Sequence, residues 1–319
     1  MELVSVLMSV YNENLVWIQE SLESILNQTY ENIEVILVVD NPSIMFDVKN
    51  YLEIIQEKDS RLKVIYNSEN LGLALSLNVG LENARGSLIA RMDADDFALP
   101  ERFERQVNFL KSQPKIALVG TGRYLMSENG VVNKDYETPV CGADKIKKVL
   151  PCTSCIVHPS IMIWTEVLKK VGGYRNFRQS QDYDLWLRLS SSGYQMDNID
   201  EPLMLYRLRD NGISLKKPYL QYLTARYQRK MYKIRMRRGE DSFSEKNFQR
   251  YIEKYDGHNE KKNNKFIISK NLLEMGIHEI KYKNLKGLFY IIKAVFCFPE
   301  NFKLLMLKTK ILVERNIGK

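Results

Sequence analysis

The sequence predicts an α/β fold: a mainly parallel sheet with helices on both faces, followed by a helical C-terminal region. Three observations carry this reading. Short apolar runs alternate with segments of helical spacing, the runs read as buried on both faces, and the alternation stops near residue 210. In order, Val4–Val10 is the first strand, and Ile18, Leu22, Ile25 and Leu26 follow helical spacing. Ile33–Val39 is a second, nearly continuous apolar strand ending at Asp40, and Leu62–Tyr66 is a third. Ala74, Leu77, Leu81 and Ala84 form a helical stripe, and residues 87–92 the strand after it. Phe103, Val107 and Leu110 mark the next helix, with Pro100 suited to its first turn, and residues 116–119 are a further apolar run.

With 319 residues, 45% of them hydrophobic and 27% charged, the chain is globular and has room for a large domain and a smaller one. The boundary is expected between residues 208 and 216, giving domains 1–214 and 215–319. From Lys216 to Lys319 there are 25 Lys and Arg against 10 Asp and Glu, whereas the first 215 residues hold 22 basic and 29 acidic. The basic character therefore belongs to the C-terminal third. Of the four cysteines, Cys152 and Cys155 have redox or metal spacing, but no second pair completes a zinc site. They read as ordinary buried or half-buried thiols in a reducing cytosol. No leader is expected, because strand residues begin at Leu3. The most apolar stretch, 288–298, is interrupted by Lys293 and too short to span a bilayer.

The chemistry is concentrated in Arg91-Met-Asp-Ala-Asp-Asp96. Three carboxylates at the carboxyl end of a strand sit where open α/β sheets place their ligands. They suit a hard divalent cation, which in turn neutralises phosphates. Asp40 ends the second strand, and Asp182 opens the helix that carries Tyr183 to Leu189. Taken alone, Asp40 reads equally as a turn residue before Asn41-Pro42, and Asp182 as a helix N-cap.

A set of motifs then lines up. Val4-Ser-Val-Leu-Met-Ser-Val-Tyr-Asn12, Glu34-Val-Ile-Leu-Val-Val-Asp40, Asn70-Leu-Gly-Leu-Ala-Leu-Ser-Leu-Asn78 and Arg91-Met-Asp-Ala-Asp-Asp96 are followed by His158-Pro-Ser-Ile-Met162, Gly172-Gly-Tyr174 and Gln181-Asp-Tyr-Asp-Leu-Trp186. Over roughly residues 1–214 the chain resembles the family 2 glycosyltransferases, and within them the bacterial enzymes that build capsule, exopolysaccharide or O-antigen repeat units. The resemblance implies the GT-A fold, a nucleotide-diphosphate sugar donor, an inverting transfer and Mg²⁺ or Mn²⁺ as cofactor. It further implies that Tyr11 stacks on the nucleobase and Asp40 accepts a hydrogen bond from it. Asp93 would contact the ribose or donor sugar and share in the metal site, Asp95 would coordinate the metal, and Asp182 would be the general base. An inverting transfer needs one such base, since a single displacement has no covalent intermediate.

The chain departs from the family pattern where Val39 precedes Asp40 in place of a second aspartate, and where Asn41-Pro42-Ser43 replaces Gly-Ser. Gln181 stands before Asp182 where Glu is common. Tyr206-Arg207-Leu208-Arg209 stands where relatives have Tyr-Arg-x-His. An arginine cannot ligate a cation, so Arg207 and Arg209 are expected to meet the diphosphate directly. His158 reads as structural or as a neighbour of the acceptor, and Trp186 as core.

Leu285, Leu288, Phe289, Ile292, Val295 and Phe296 line one helical face beside Lys286 and Lys293; Phe302, Leu305 and Leu312 repeat the pattern beside Lys303 and Lys310. Basic amphipathic helices of this kind read as peripheral contact with an anionic membrane, or as helices packed on the catalytic domain. The basic and aromatic cluster from Arg226 to Arg238 lacks a nucleic-acid motif, so no nucleic-acid partner is expected. The reading is of an enzyme on the cytosolic face of a bacterial inner membrane, moving a hexose or N-acetylhexosamine from a UDP-sugar to a saccharide acceptor carried on a polyprenyl diphosphate. Its rivals are a processive polysaccharide synthase, which needs transmembrane helices and a Gln-x-x-Arg-Trp motif, and a non-catalytic binding module.

Overall fold

The computed structural model describes residues 1–133, 136, 138–209, 216–282 and 284–299. The described residues form two compact units, the first comprising Met1–Leu150 and Ser154–Arg209, the second Pro151–Thr153 with the described residues from Lys216 onward.

The first unit is built on a nine-stranded sheet in the order β3-β2-β1-β4-β8-β6-β9-β5, with β7 paired to β6. The strands are β1 (Val4–Val10), β2 (Ile33–Val39), β3 (Leu62–Tyr66), β4 (Leu88–Asp93), β5 (Phe97–Ala98), β6 (Ile116–Met126), β7 (Val132–Asn133), β8 (Met162–Trp164) and β9 (Gln195–Arg207). One half, β3-β2-β1-β4, is wholly parallel, as the buried apolar runs of β1, β2 and β4 predict. The other half is mixed: β8 runs antiparallel to both β4 and β6, while β6 and β9 are parallel with register shifts.

Period-2 alternation gives β1 two buried faces. Val4, Val6, Met8 and Val10 join a core with α1 (Leu15–Leu26), α2 (Phe46–Lys58) and α4 (Arg102–Ser112) through Ile18, Leu22, Val48, Leu52, Phe103 and Val107. On the other side α3 (Leu73–Asn83) packs so closely that a Cβ on Gly80 would lie 3.1 Å from Leu7 Cδ2. Pro100 differs from expectation. It lies outside α4, in the turn before it, where its carbonyl accepts the Thr29 N–H at 2.9 Å. Three further helices complete this unit: α5 (Ala143–Val149), α6 (Thr165–Lys170) and α7 (Gln181–Ser191), with a 3-10 turn at His158–Ser160.

The second unit is helical, as its Lys-rich spacing predicts: α8 (Pro218–Arg238), α9 (Glu245–Lys254), α10 (Glu260–Lys281) and α11 (Lys286–Cys297). Pro218 in the first turn of α8 and the left-handed Gly239 after its end are ordinary helix punctuation. Ser244 and Asn259 cap α9 and α10 with side-chain oxygens. Two glycines let α10 and α11 approach, since a Cβ on Gly287 would fall 2.6 Å from the Gly276 carbonyl. Gly287 and Ala294 are buried, whereas Leu285, Leu288, Phe289, Ile292 and Phe296 are exposed. Of the apolar stripe read from the sequence, all but the half-buried Val295 is thus exposed among the described residues. No helix among the described residues is long and apolar enough to cross a membrane. The expected helix at 302–315 lies outside the described residues, as does the expected boundary at residue 214.

Candidate active site

The parallel register gathers the candidate residues. Val10 pairs with Val39 and Ser9 with Asp93, so β1, β2 and β4 end together and set Tyr11, Asp40 and Asp93 along one carboxyl edge. Tyr11 is 44% exposed there, free to present a ring face. Asp40 is buried and well used: its Oδ1 accepts from Asn67 Nδ2 and the Leu71 N–H, and its Oδ2 from the Gly72 N–H, each at 2.8 Å. It ties the entry of α3 to β2. A carboxylate has about four lone-pair sites, so three internal donors leave room for one external donor.

Past β4 the chain turns, and Asp93, Asp95 and Asp96 bring ligand oxygens within 4.8 Å of one another. Burial, with Asp93 close by, lifts the Asp95 carboxyl to about 6. Asp96 is fully buried and pushed well above the usual carboxylate range by burial and by its two acidic neighbours. Its Oδ1 accepts the Arg207 N–H at 2.8 Å while its Oδ2 has no hydrogen-bond partner. This surplus of negative charge, with an orphaned buried carboxylate oxygen, fits the hard oxygen site of a divalent cation.

Arg91 lies under the cluster, almost wholly buried and ion-paired with Asp93. Burial works against its charge, but Asp93 beside it more than compensates and raises its pKa. Its Nε and Nη1 have no hydrogen-bond partner. The same guanidinium acts on Asp182 across the site. Asp182 is in the first turn of α7, one residue beyond the N-terminal Gln181, so it is not the N-cap; that place belongs to Ser180, with φ 57°. Burial raises its carboxyl pKa, while the Tyr183 N–H and Arg91 act in the opposite sense. Over the whole residue Asp182 is half-buried.

Other motif residues set α7 in place. Asn78 and Tyr174 exchange two hydrogen bonds of 2.8 Å. The Tyr174 hydroxyl meets His158 Nε2 at 2.9 Å, and the His158 ring stands edge-on to Trp186 at 6.0 Å. His158 and Trp186 are both buried, and burial with the nearby Arg91 holds the imidazole well below its usual range, hence neutral. Arg188 clamps the turn before α7 through Asp184 Oδ2 at 2.7 Å and the carbonyls of Val171 and Gly173 at 2.5 and 2.7 Å.

The two arginines at the end of β9 part company. Arg207 is buried and committed to the fold: it donates to the Asp95 carbonyl at 2.8 Å, to Glu128 O at 3.1 Å and to Glu20 Oε2 at 2.6 Å. A guanidinium so occupied braces the acidic turn, with its side chain 2% exposed. Arg209 is partly exposed and lies beside the cluster, ion-paired with Asp95 and, at 3.1 Å, with Glu13. Both guanidiniums rest on Trp17, 5.2 and 5.1 Å from the ring centroid. Glu13, Trp17 and Arg91 were not among the expected site residues, and Asp96 was read only as the third carboxylate of the cluster, with no role of its own. Arg91 had left a sign, a charge inside an otherwise apolar strand. The cysteines are free thiols, Cys152 buried and Cys155 half-buried.

The chain matches the family model Glycosyl transferase family 2 over residues 5–172. It is 37% identical over 224 residues to the O-antigen biosynthesis glycosyltransferase WbnJ of Escherichia coli, covering 70% of this chain and 85% of that one. It is 40% identical over 224 residues to an uncharacterised glycosyltransferase of Methanocaldococcus jannaschii, covering 68% of this chain and 76% of that one. The amylovoran biosynthesis glycosyltransferase AmsE of Erwinia amylovora is 30% identical over 239 residues, covering 73% and 85%. Among solved structures, the mannosyltransferase PcManGT of Pyrobaculum calidifontis, in complex with GDP-Man and Mn²⁺, superposes with a TM-score of 0.56 at 16% identity, covering 94% of this chain and 75% of that one. TarS of S. aureus gives 0.54 at 17% identity, covering 79% of this chain and 42% of TarS. The fold is GT-A, and the chain belongs to glycosyltransferase family 2.

Proposed function

We propose that this protein is an inverting, metal-dependent glycosyltransferase of cell-surface polysaccharide biosynthesis, using a UDP-sugar and a saccharide acceptor carried on a polyprenyl diphosphate. One observation carries the catalytic part. The buried Arg91 is ion-paired with Asp93 and also acts electrostatically on Asp182, which supports reading Asp182 as a base beside the acidic cluster. The relatives named for O-antigen and amylovoran biosynthesis support the polysaccharide setting.

In this reading the donor base stacks on Tyr11 and meets the remaining lone pair of Asp40. Asp182 takes the proton of the acceptor hydroxyl as its oxygen bonds the anomeric carbon. The bond to the diphosphate breaks on the opposite face, and the electron pair leaves with the nucleotide. A base of raised pKa takes that proton more readily than an ordinary carboxylate. Arg91 keeps Asp93 oriented toward the donor. A divalent cation held by Asp95 with Asp93 or Asp96 would supply charge for the leaving diphosphate. The exposed apolar stripe and lysines of α11 support attachment to an anionic leaflet, where lipid-linked acceptors lie.

The test is UDP release by the full chain from a panel of UDP-sugars, with and without acceptor saccharides, comparing wild type with Asp182→Asn. Acceptor-dependent release that vanishes in the variant, with inverted anomeric configuration in the product, is the expected result. Retained configuration, or release unaffected by the substitution, would overturn the mechanism.

A further inference from the structure

Arg209 stands where the chain's own charge competes with a metal. Its guanidinium pairs with Asp95, a member of the acidic trio, and spans to Glu13 at 3.1 Å while lying 5.1 Å over Trp17. Arginine has no lone pair to give a cation, so it cannot join a coordination shell. It can only neutralise the carboxylate that a cation would use. Unlike Arg207, it is partly exposed and held by side chains alone, with no bond to a backbone carbonyl among its described partners. A planar guanidinium matches phosphate oxygens bidentately as it does a carboxylate, so it can exchange one partner for the other.

We propose that Arg209 is an exchangeable counter-cation. In the donor-free protein it neutralises Asp95; on arrival of a nucleoside diphosphate it transfers to the phosphates and releases Asp95 to the divalent cation. Metal and nucleotide then bind as a coupled pair, each weak without the other, which confines a tightly held cation to the donor-loaded enzyme. The coupling is reciprocal, as linkage requires. The inference rests on reading residues 93–96 as the cation and diphosphate site.

The proposal fixes opposite signs for one substitution. Mn²⁺ binding is measured by electron paramagnetic resonance of the free ion, alone and with UDP, and UDP binding by calorimetry, with GDP as a parallel probe. Arg209→Gln removes the internal competitor, so Mn²⁺ alone binds about two- to fivefold more tightly, roughly what removing a partly exposed ion pair allows. It also removes a charged phosphate contact, so UDP with Mn²⁺ binds on the order of ten- to a hundredfold more weakly. Arg209→Lys keeps the charge without the fork: Mn²⁺ alone binds as in wild type, and UDP is again weakened. Arg209→Gln with unchanged or weaker Mn²⁺ binding would overturn the exchange and leave Arg209 a structural strap. Wild-type protein that binds neither UDP nor GDP with Mn²⁺ would instead overturn the reading of the site itself.

Discussion

The side chain of Asn78 and the backbone of Tyr174 are joined by a closed pair of hydrogen bonds, Nδ2 to the Tyr174 carbonyl and the Tyr174 N–H to Oδ1, both 2.8 Å. The pair fastens α3, whose entry is set by Asp40, to the turn that leads into α7 and Asp182. Gly173 beside it has φ 60°, and a Cβ there would lie 2.6 Å from Asn78 Oδ1. The elements that the proposed function assigns to donor and base are therefore tied by one contact between residues 96 apart in the chain.

Asn78→Ala removes both bonds and leaves a backbone N–H and carbonyl to find other partners. The expected loss is about 1–3 kcal/mol of stability, read as a lower denaturation midpoint. Turnover falls more than donor affinity, because the displaced element carries the base. Equal loss of both would mean that the contact holds the donor edge alone.

The proposed general base gives a test with a worked sign. Burial raises the Asp182 pKa above its ordinary value near 3.8. A carboxyl whose folded pKa is raised contributes stability that is full below the unfolded value and lost as pH rises through the folded one. At neutral pH the charged form is therefore a net cost, and Asp182→Asn should melt no lower than wild type at pH 7.5, with any advantage shrinking toward pH 4. Turnover should nevertheless drop by about 10²–10⁴, with UDP affinity nearly unchanged. On the acid side, wild-type activity should decline at a higher pH than an ordinary carboxylate would give. A variant that keeps more than about a tenth of turnover would place the base elsewhere, since general-base loss costs far more.

The acidic turn separates metal from scaffold. Asp95→Ala should weaken UDP binding much more in the presence of Mn²⁺ than in its absence, because the loss is of a shared cation. Calorimetry under both conditions measures it. Equal weakening would show that Asp95 acts without a metal.

The parallel half of the sheet was legible because β1, β2 and β4 are largely apolar runs, the last two ending at or just before an aspartate, that alternate with segments of helical spacing. The antiparallel half was not. β8 is three residues long, and β9 carries Asp197, Asn198, Asp200 and Glu201, so neither reads as a buried strand. Helix α2 was missed as well, with only Val48 and Leu52 buried along 13 residues. In the site, carboxylates at strand ends were readable from position. The partners were not: Arg91, Arg207 and Arg209 are all basic residues near an acidic motif, and only tertiary contacts show which braces, which bridges and which is partly exposed.

The last prediction concerns α11. On a helical projection Leu285, Leu288, Phe289, Ile292 and Phe296 fall on one arc, with Lys286 and Lys293 along its edge, and all seven are exposed. The opposite face is engaged, with Gly287 against the Gly276 carbonyl, so deleting the helix would uncover α10 and confuse the result. Point changes on the exposed arc avoid this. Phe289→Ser with Phe296→Ser removes rings that are 64% and 83% exposed and should leave the melting temperature unchanged. If the arc enters an anionic bilayer, each ring contributes roughly 1.5–3 kcal/mol to that burial, so the double variant should no longer float with phosphatidylglycerol-containing liposomes. Wild-type binding should also weaken with salt, since attraction of lysines to a charged surface is screened beyond about 8–10 Å at physiological ionic strength. A wild-type protein that never floats, or a double variant that floats equally well, would end the membrane assignment. A change in sedimentation of the variant without any wild-type flotation would assign the arc to a second copy of the chain instead.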